Sequence, residues 1–132
     1  MPEAPDNLKL LRKYSDSAYS DFEYVPVASE DDFRMDCGVL FLMAFWSGPA
    51  VLGFKRICES LNTFDLPNGF VFRVLDWDGA TPFLERLSQY NLVIGGNAEA
   101  LWFRKGEIIA ATYLGTSSPE RIMEIIDRIA QS

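Results

Sequence analysis

The 132-residue sequence contains no histidine. That absence removes Ser-His and Cys-His nucleophiles, His-ligated metal sites and imidazole acid–base catalysis. Cysteine is scarce too. Cys37 and Cys58 stand alone, too few for a disulfide scaffold or an all-cysteine metal site. Basic residues are outnumbered, twelve against nineteen acids, for a net charge of −7. This argues against a nucleic-acid or anionic-membrane binder, since both need a basic face. Long apolar runs are missing as well. The longest, Val39 to Trp46, falls far short of the roughly 20 residues that span a bilayer. Pro2, Glu3, Pro5 and Asp6 give the N-terminus the wrong composition for a signal peptide. The expectation is a cytoplasmic protein with neither nucleic acid nor membrane as partner.

What is present is core material. Apolar residues make up 48% and aromatics 14% of a chain long enough for one domain. Charge is uneven: from Asp21 to Asp36 six acids face Arg34 alone, which reads as a solvated acidic connection. Leu8, Leu11 and Tyr14 have helical spacing, so residues 1–22 are expected to form a partly helical N-terminal extension, with the main domain over 23–132.

Within that domain the elements alternate. Glu23–Val27 reads as a strand, and Ser29 before Glu30, Asp31 and Asp32 as a capped helical turn. Gly38–Phe45 is apolar without alternation, as in a strand covered on both faces. Ser47-Gly48-Pro49 opens a helix with a capping hydroxyl and a proline in the first turn. Its apolar stripe is Ala50, Phe54, Ile57, Cys58 and Leu61. Phe70–Asp76 is a second buried strand, and Thr81-Pro82 starts a helix running to about Tyr90. Asp76, Trp77 and Asp78 read as a turn with a capping acid rather than as metal ligands. Ala100–Arg104 and Glu107–Leu114 form a hairpin across Lys105-Gly106, where Gly106 can take positive φ. Ser118-Pro119-Glu120 opens the last helix, with Ile122, Ile125, Ile126 and Ile129 on one face and Glu124 set to pair with Arg128. The order β-α-β-α-β-α-β-β-α predicts an α/β domain: a mixed central sheet with helices on both faces, a final β-hairpin and a C-terminal helix.

That order, with Trp46-Ser47-Gly48-Pro49-Ala50 between strand and helix, resembles the thioredoxin family, where the segment reads Trp-Cys-Gly-Pro-Cys. Phe103-Arg104-Lys105-Gly106-Glu107 is similar to the family's hairpin, and Gly115 follows the final strand as it does there. The resemblance runs from about Glu23 to the C-terminus and implies a thioredoxin-like fold. It also marks departures. Ser47 and Ala50 stand where the two cysteines would be, Phe41 where the buried proton-transfer acid would be, and Ala98 where the cis-proline would be. A cis bond before a non-proline costs about 2.5–4 kcal/mol, so a trans or rearranged loop is expected at Asn97-Ala98.

The remaining cysteines offer no substitute. Cys37 lies about 30 Å of strand before Trp46, and Cys58 about 14 Å of helix after Pro49. Those levels are too different for a disulfide, which needs Cα atoms within about 7 Å. Cys58 reads as a core residue and Cys37 as an inert edge residue. No catalytic, cofactor-binding or metal-ligating residue is expected, and the chain is read as a non-enzyme. The resemblance implies a peptide-binding groove made here of Trp46, Ser47, Gly48, Pro49, Asn97, Ala98, Leu114 and Gly115. The expected function is a redox-inactive protein-binding module: an adaptor, an assembly chaperone or a small acidic inhibitor. Two alternatives stand beside it, an atypical thiol or glutathione oxidoreductase using Cys37 or Cys58, and a purely structural subunit of a complex.

Overall fold

The computed structural model describes residues 3–15, 21–85, 89 and 95–131. Strand β1 (Glu23–Val25) and strand β2 (Gly38–Met43) both run parallel to strand β3 (Val71–Asp76), which lies between them. Strand β4 (Ala100–Arg104) pairs antiparallel with β2, and strand β5 (Glu107–Thr112) antiparallel with β4. The sheet order is therefore β1-β3-β2-β4-β5, the mixed sheet expected. All six residues of β2 are buried because the strand feeds two cores. Val39, Phe41 and Met43 enter one cluster, and Leu40 and Leu42 the other. Alternation vanishes when both faces are covered.

Among the described residues, one face carries three helices: α1 (Glu3–Tyr14), α2 (Gly48–Thr63) and α3 (Pro119–Ala130). The stripe Ala50, Phe54, Ile57, Cys58 and Leu61 of α2 is buried throughout, as are Ile122, Ile125, Ile126 and Ile129 of α3. Ser118 caps α3 by accepting the Arg121 N–H at 3.2 Å. The other face is covered by two 3₁₀ turns, Glu30–Phe33 and Asp78–Phe83, which meet through Phe33 and Phe83 with ring centroids 5.1 Å apart. Between β4 and β5, Lys105 (φ 52°) and Gly106 (φ 79°) are both left-handed, the geometry of a two-residue hairpin turn. No helix among the described residues is long and apolar enough to cross a membrane.

Several local expectations are corrected. Strand β1 ends at Val25, before Pro26, and β5 ends at Thr112, before the short 3₁₀ turn Leu114–Thr116. The capped turn expected at Ser29 is present, with Ser29 as N-cap of Glu30–Phe33 and the Asp32 carboxylate reaching back to accept from the Ser29 N–H at 2.7 Å and from its hydroxyl at 3.2 Å. The turn expected from Thr81 begins earlier, at Asp78, and the end expected near Tyr90 lies outside the described residues. Glu124 pairs with Arg121 at 3.5 Å rather than with Arg128. Cys37 is no edge residue. It is buried in the main core cluster, just ahead of β2.

The N-terminal extension packs onto the domain. Leu11 is fully buried in the cluster that holds Phe54 and Phe72. Asn7 donates from Nδ2 to the Tyr24 hydroxyl at 3.2 Å and to Asp76 at 3.0 Å. The Lys55 ammonium lies 5.4 Å from the centre of the Tyr14 ring.

Candidate functional site

Strands β2 and β3 run parallel in register, with Met43 opposite Asp76, so the chain leaves both at the same edge of the sheet. Each exit leads to a tryptophan, Trp46 after β2 and Trp77 after β3. Their rings meet edge to face, centroids 5.8 Å apart and planes at 88°. Trp77 is anchored by its N–H to the Met43 carbonyl at 2.9 Å and is half-buried. Trp46 is 60% exposed. The pair thus presents one half-buried indole and one open one.

Ser47 is buried directly beside the exposed Trp46. Its hydroxyl accepts from the Ala50 N–H at 3.4 Å, capping α2, and donates to the Gly96 carbonyl at 2.5 Å. One side chain therefore starts the helix and ties it to the loop at 95–98. That loop is closed from the other side by Glu99. Its fully buried carboxylate accepts from the Gly95 N–H at 3.2 Å and from the Asn97 N–H at 3.1 Å. The Glu99 carbonyl also receives the Leu42 N–H, at 3.0 Å, fixing the loop to β2.

Two glycines let these parts meet. A Cβ on Gly96, which has φ +71°, would lie 2.7 Å from the Trp46 ring, so the indole rests on bare backbone. A Cβ on Gly53 would lie 2.1 Å from the Ala98 Cβ, so α2 admits the loop only without a side chain there. Ala98 has φ 62°, a conformation alanine rarely adopts. No peptide bond among the described residues is cis, so the Asn97-Ala98 bond is trans, one of the two outcomes expected. The third segment joins through the Leu114 N–H, which donates to the Asn97 carbonyl at 2.8 Å.

The structure therefore gathers the eight residues singled out in the sequence at one corner. Gly48 and Pro49 are exposed just after Trp46 in the chain, Gly115 is exposed next to Leu114, Asn97 and Leu114 are half-buried, and Ser47 and Ala98 are buried. A Cβ on Gly48 would meet nothing within 4 Å, so the fold does not require glycine there. Its bareness keeps the corner open. Trp77, Gly96 and Glu99 belong to the same arrangement and were not among the eight. Trp77 was readable in principle, since two adjacent parallel strands ending in tryptophan deliver both rings to one edge. The concavity lined by Arg56, Glu59, Ser60, Thr63, Phe64 and Pro119 lies toward the opposite end of α2 from Trp46.

No protein-family model matches the sequence, and no curated protein matches it either. Solved structures do match. The thioredoxin of Malassezia sympodialis (Mala s 13) superposes with TM-score 0.63 at 13% identity, over 86% of this chain and 95% of its own. Thioredoxin O1 from Arabidopsis thaliana, in its oxidized state, gives 0.56 at 14% identity, over 83% and 99%. A chain from a study of thiol resolution in yeast mitochondrial 1-Cys peroxiredoxin gives 0.58 at 14% identity, over 85% and 99%. The fold is thioredoxin-like.

On the thioredoxin-like fold the departures acquire geometry. Ser47, which the resemblance sets in the place of the first cysteine, is committed to two hydrogen bonds. Ala50 and Phe41, which it sets in the places of the second cysteine and the buried acid, are both fully buried. The Phe41 ring packs against Phe54 with centroids 5.7 Å apart, so the acid's place is filled with hydrocarbon. Cys37 and Cys58 are free thiols, both buried. Burial pushes the Cys58 thiol up to about 12, helped by the neighbouring Glu59 charge. Burial, and then Asp36, also raise that of Cys37, the opposite of what a reactive thiolate requires. Asp76 accepts from the Tyr24 hydroxyl at 2.7 Å, from Asn7, and from the Asp78 N–H at 3.0 Å, which is the turn-capping role read from the sequence.

Proposed function

We propose that this chain is a redox-silent protein-binding module that uses the corner around Trp46 to hold a segment of another protein. The observation that carries the reading is the contrast between two neighbours. Ser47 is buried and committed to two structural hydrogen bonds, while Trp46 beside it is 60% exposed. Where the thioredoxin nucleophile would sit, the chain has a tether, and what remains open is the surface. Exposed aromatic anchors of this kind are frequent centres of protein interfaces. Adaptor, assembly chaperone and small acidic inhibitor are all compatible with that surface.

The solved structures of like fold include thioredoxins, so the oxidoreductase alternative needs its own test. Turnover through Cys37 or Cys58 would require a buried thiol with a raised pKa to attack a disulfide. Incubated with insulin and dithiothreitol, the wild-type protein is expected to leave the rate of insulin precipitation at the dithiothreitol background. A rate above background that disappears in Cys37→Ala or Cys58→Ala would replace this reading with the oxidoreductase one.

A further inference from the structure

The partner's chemistry is written in the charges around the two indoles. The corner is built from residues 44–50, 76–79, 95–99 and 112–116. These segments contain Asp76, Asp78 and Glu99 and not one lysine or arginine. Asp76 and Asp78 flank Trp77 in sequence, and Asp78 is exposed. Glu99 binds the amides on either side of Gly96, the glycine on which Trp46 rests. Asp76 and Glu99 are buried and hydrogen-bonded within the corner, which leaves Asp78, next to Trp77, as its exposed carboxylate beside an edge-to-face tryptophan pair whose outer ring is open. The face of an indole is electron-rich and attracts cations, more strongly for tryptophan than for the other aromatics. Carboxylates nearby act in the same direction, and the chain's net charge of −7 adds long-range attraction for a basic partner.

We infer that the corner receives a lysine or arginine side chain carried on an extended segment of the partner protein. The cation lies against the open face of Trp46, with its charge toward Asp78. This rests on the proposed binding role of the same corner and adds the class of residue that it selects. An acidic segment would bring like charge to Asp78 in a corner with no basic residue to compensate it, and a purely apolar one would leave Asp78 unpaired. The protein uses the same chemistry internally, where the Lys55 ammonium lies over Tyr14.

The test is a selection of random twelve-residue peptides displayed on phage against the full-length protein, with the winners remeasured by calorimetry as synthetic peptides. The expected winners share a lysine or arginine at one position. Replacing that residue by norleucine weakens binding about 5- to 30-fold. Asp78→Asn weakens it severalfold, less so in high salt, and Trp46→Ala at least tenfold. Winners that need Trp46 but tolerate norleucine and Asp78→Asn would overturn this inference and leave the binding role standing. A selection that yields no Trp46-dependent peptide would overturn both.

Discussion

Replacing Ser47 by alanine removes two interactions from one buried place. The first is the cap on α2, the 3.4 Å bond from the Ala50 N–H, and losing an N-cap hydroxyl costs about 0.5–2 kcal/mol. The second is the 2.5 Å bond to the Gly96 carbonyl. Gly96 is buried, so its carbonyl loses a partner that water cannot readily replace, at about 1–3 kcal/mol. Together these give a loss of about 1.5–5 kcal/mol, a large share of the roughly 5–15 kcal/mol that stabilises an ordinary domain. A second variant separates the two terms. Glycine is itself a tolerable N-cap, worse than serine by only a few tenths of a kcal/mol, so Ser47→Gly isolates the tether to Gly96. Urea unfolding followed by circular dichroism is expected to place Ser47→Gly about 1–3 kcal/mol below wild type, with Ser47→Ala lower still. Losses under about 0.5 kcal/mol for both variants would refute the view that the thioredoxin nucleophile position has become a structural tie.

Placing cysteines at both motif positions, Ser47→Cys with Ala50→Cys, should allow a disulfide to form yet leave a poor insulin reductase, because Phe41 and Ala98 supply neither the acid nor the opposing proline. Insulin turnover near that of an ordinary thioredoxin would contradict this. Cys58 has a folded pKa of about 12 against an ordinary value of 9.0, so the fold favours its neutral form. Its contribution to stability is complete below pH 9 and is lost as pH rises toward 12. Stability measured by urea unfolding should therefore fall more steeply above pH 9 in wild type than in Cys58→Ala, by up to about 1.4 kcal/mol per pH unit; parallel slopes would contradict it. Leu11→Ala should cost about 2–5 kcal/mol if α1 is part of the folded core, whereas an effect under about 0.5 kcal/mol would make the helix a detachable appendage.

Much of this fold was legible because its signals are strong and local. The unbroken apolar run of β2, the capped start of α2 and the isoleucine stripe of α3 each have one physical reading, and the segment from Trp46 to Ala50 placed them in a known order. The candidate corner was legible for the same reason, since its residues follow from that order. What the sequence concealed depends on distant contacts. Glu99 looks like a surface acid until the fold brings it under the amides of Gly95 and Asn97. Cys37 looks peripheral because it precedes the strand, yet it is buried in the main core cluster. Glu124 had cations available one turn away on either side, and helical spacing alone does not decide between Arg121 and Arg128.

The central claim, that this thioredoxin-like chain binds a partner through the surface around Trp46, has one direct test. A partner captured from the native host by the wild-type protein is purified, and its affinity is measured by calorimetry for wild type, Trp46→Ala, Gly48→Arg and Glu124→Ala. Circular dichroism establishes that each variant folds, and the open space around Gly48 makes folding of Gly48→Arg the expected result. Trp46→Ala should weaken binding by about 2 kcal/mol or more, near thirtyfold. Gly48→Arg should block the same corner by bulk, and Glu124→Ala, at an exposed position of α3, should change affinity by no more than a few tenths of a kcal/mol. Folded Trp46→Ala and Gly48→Arg proteins that bind as tightly as wild type would contradict the account.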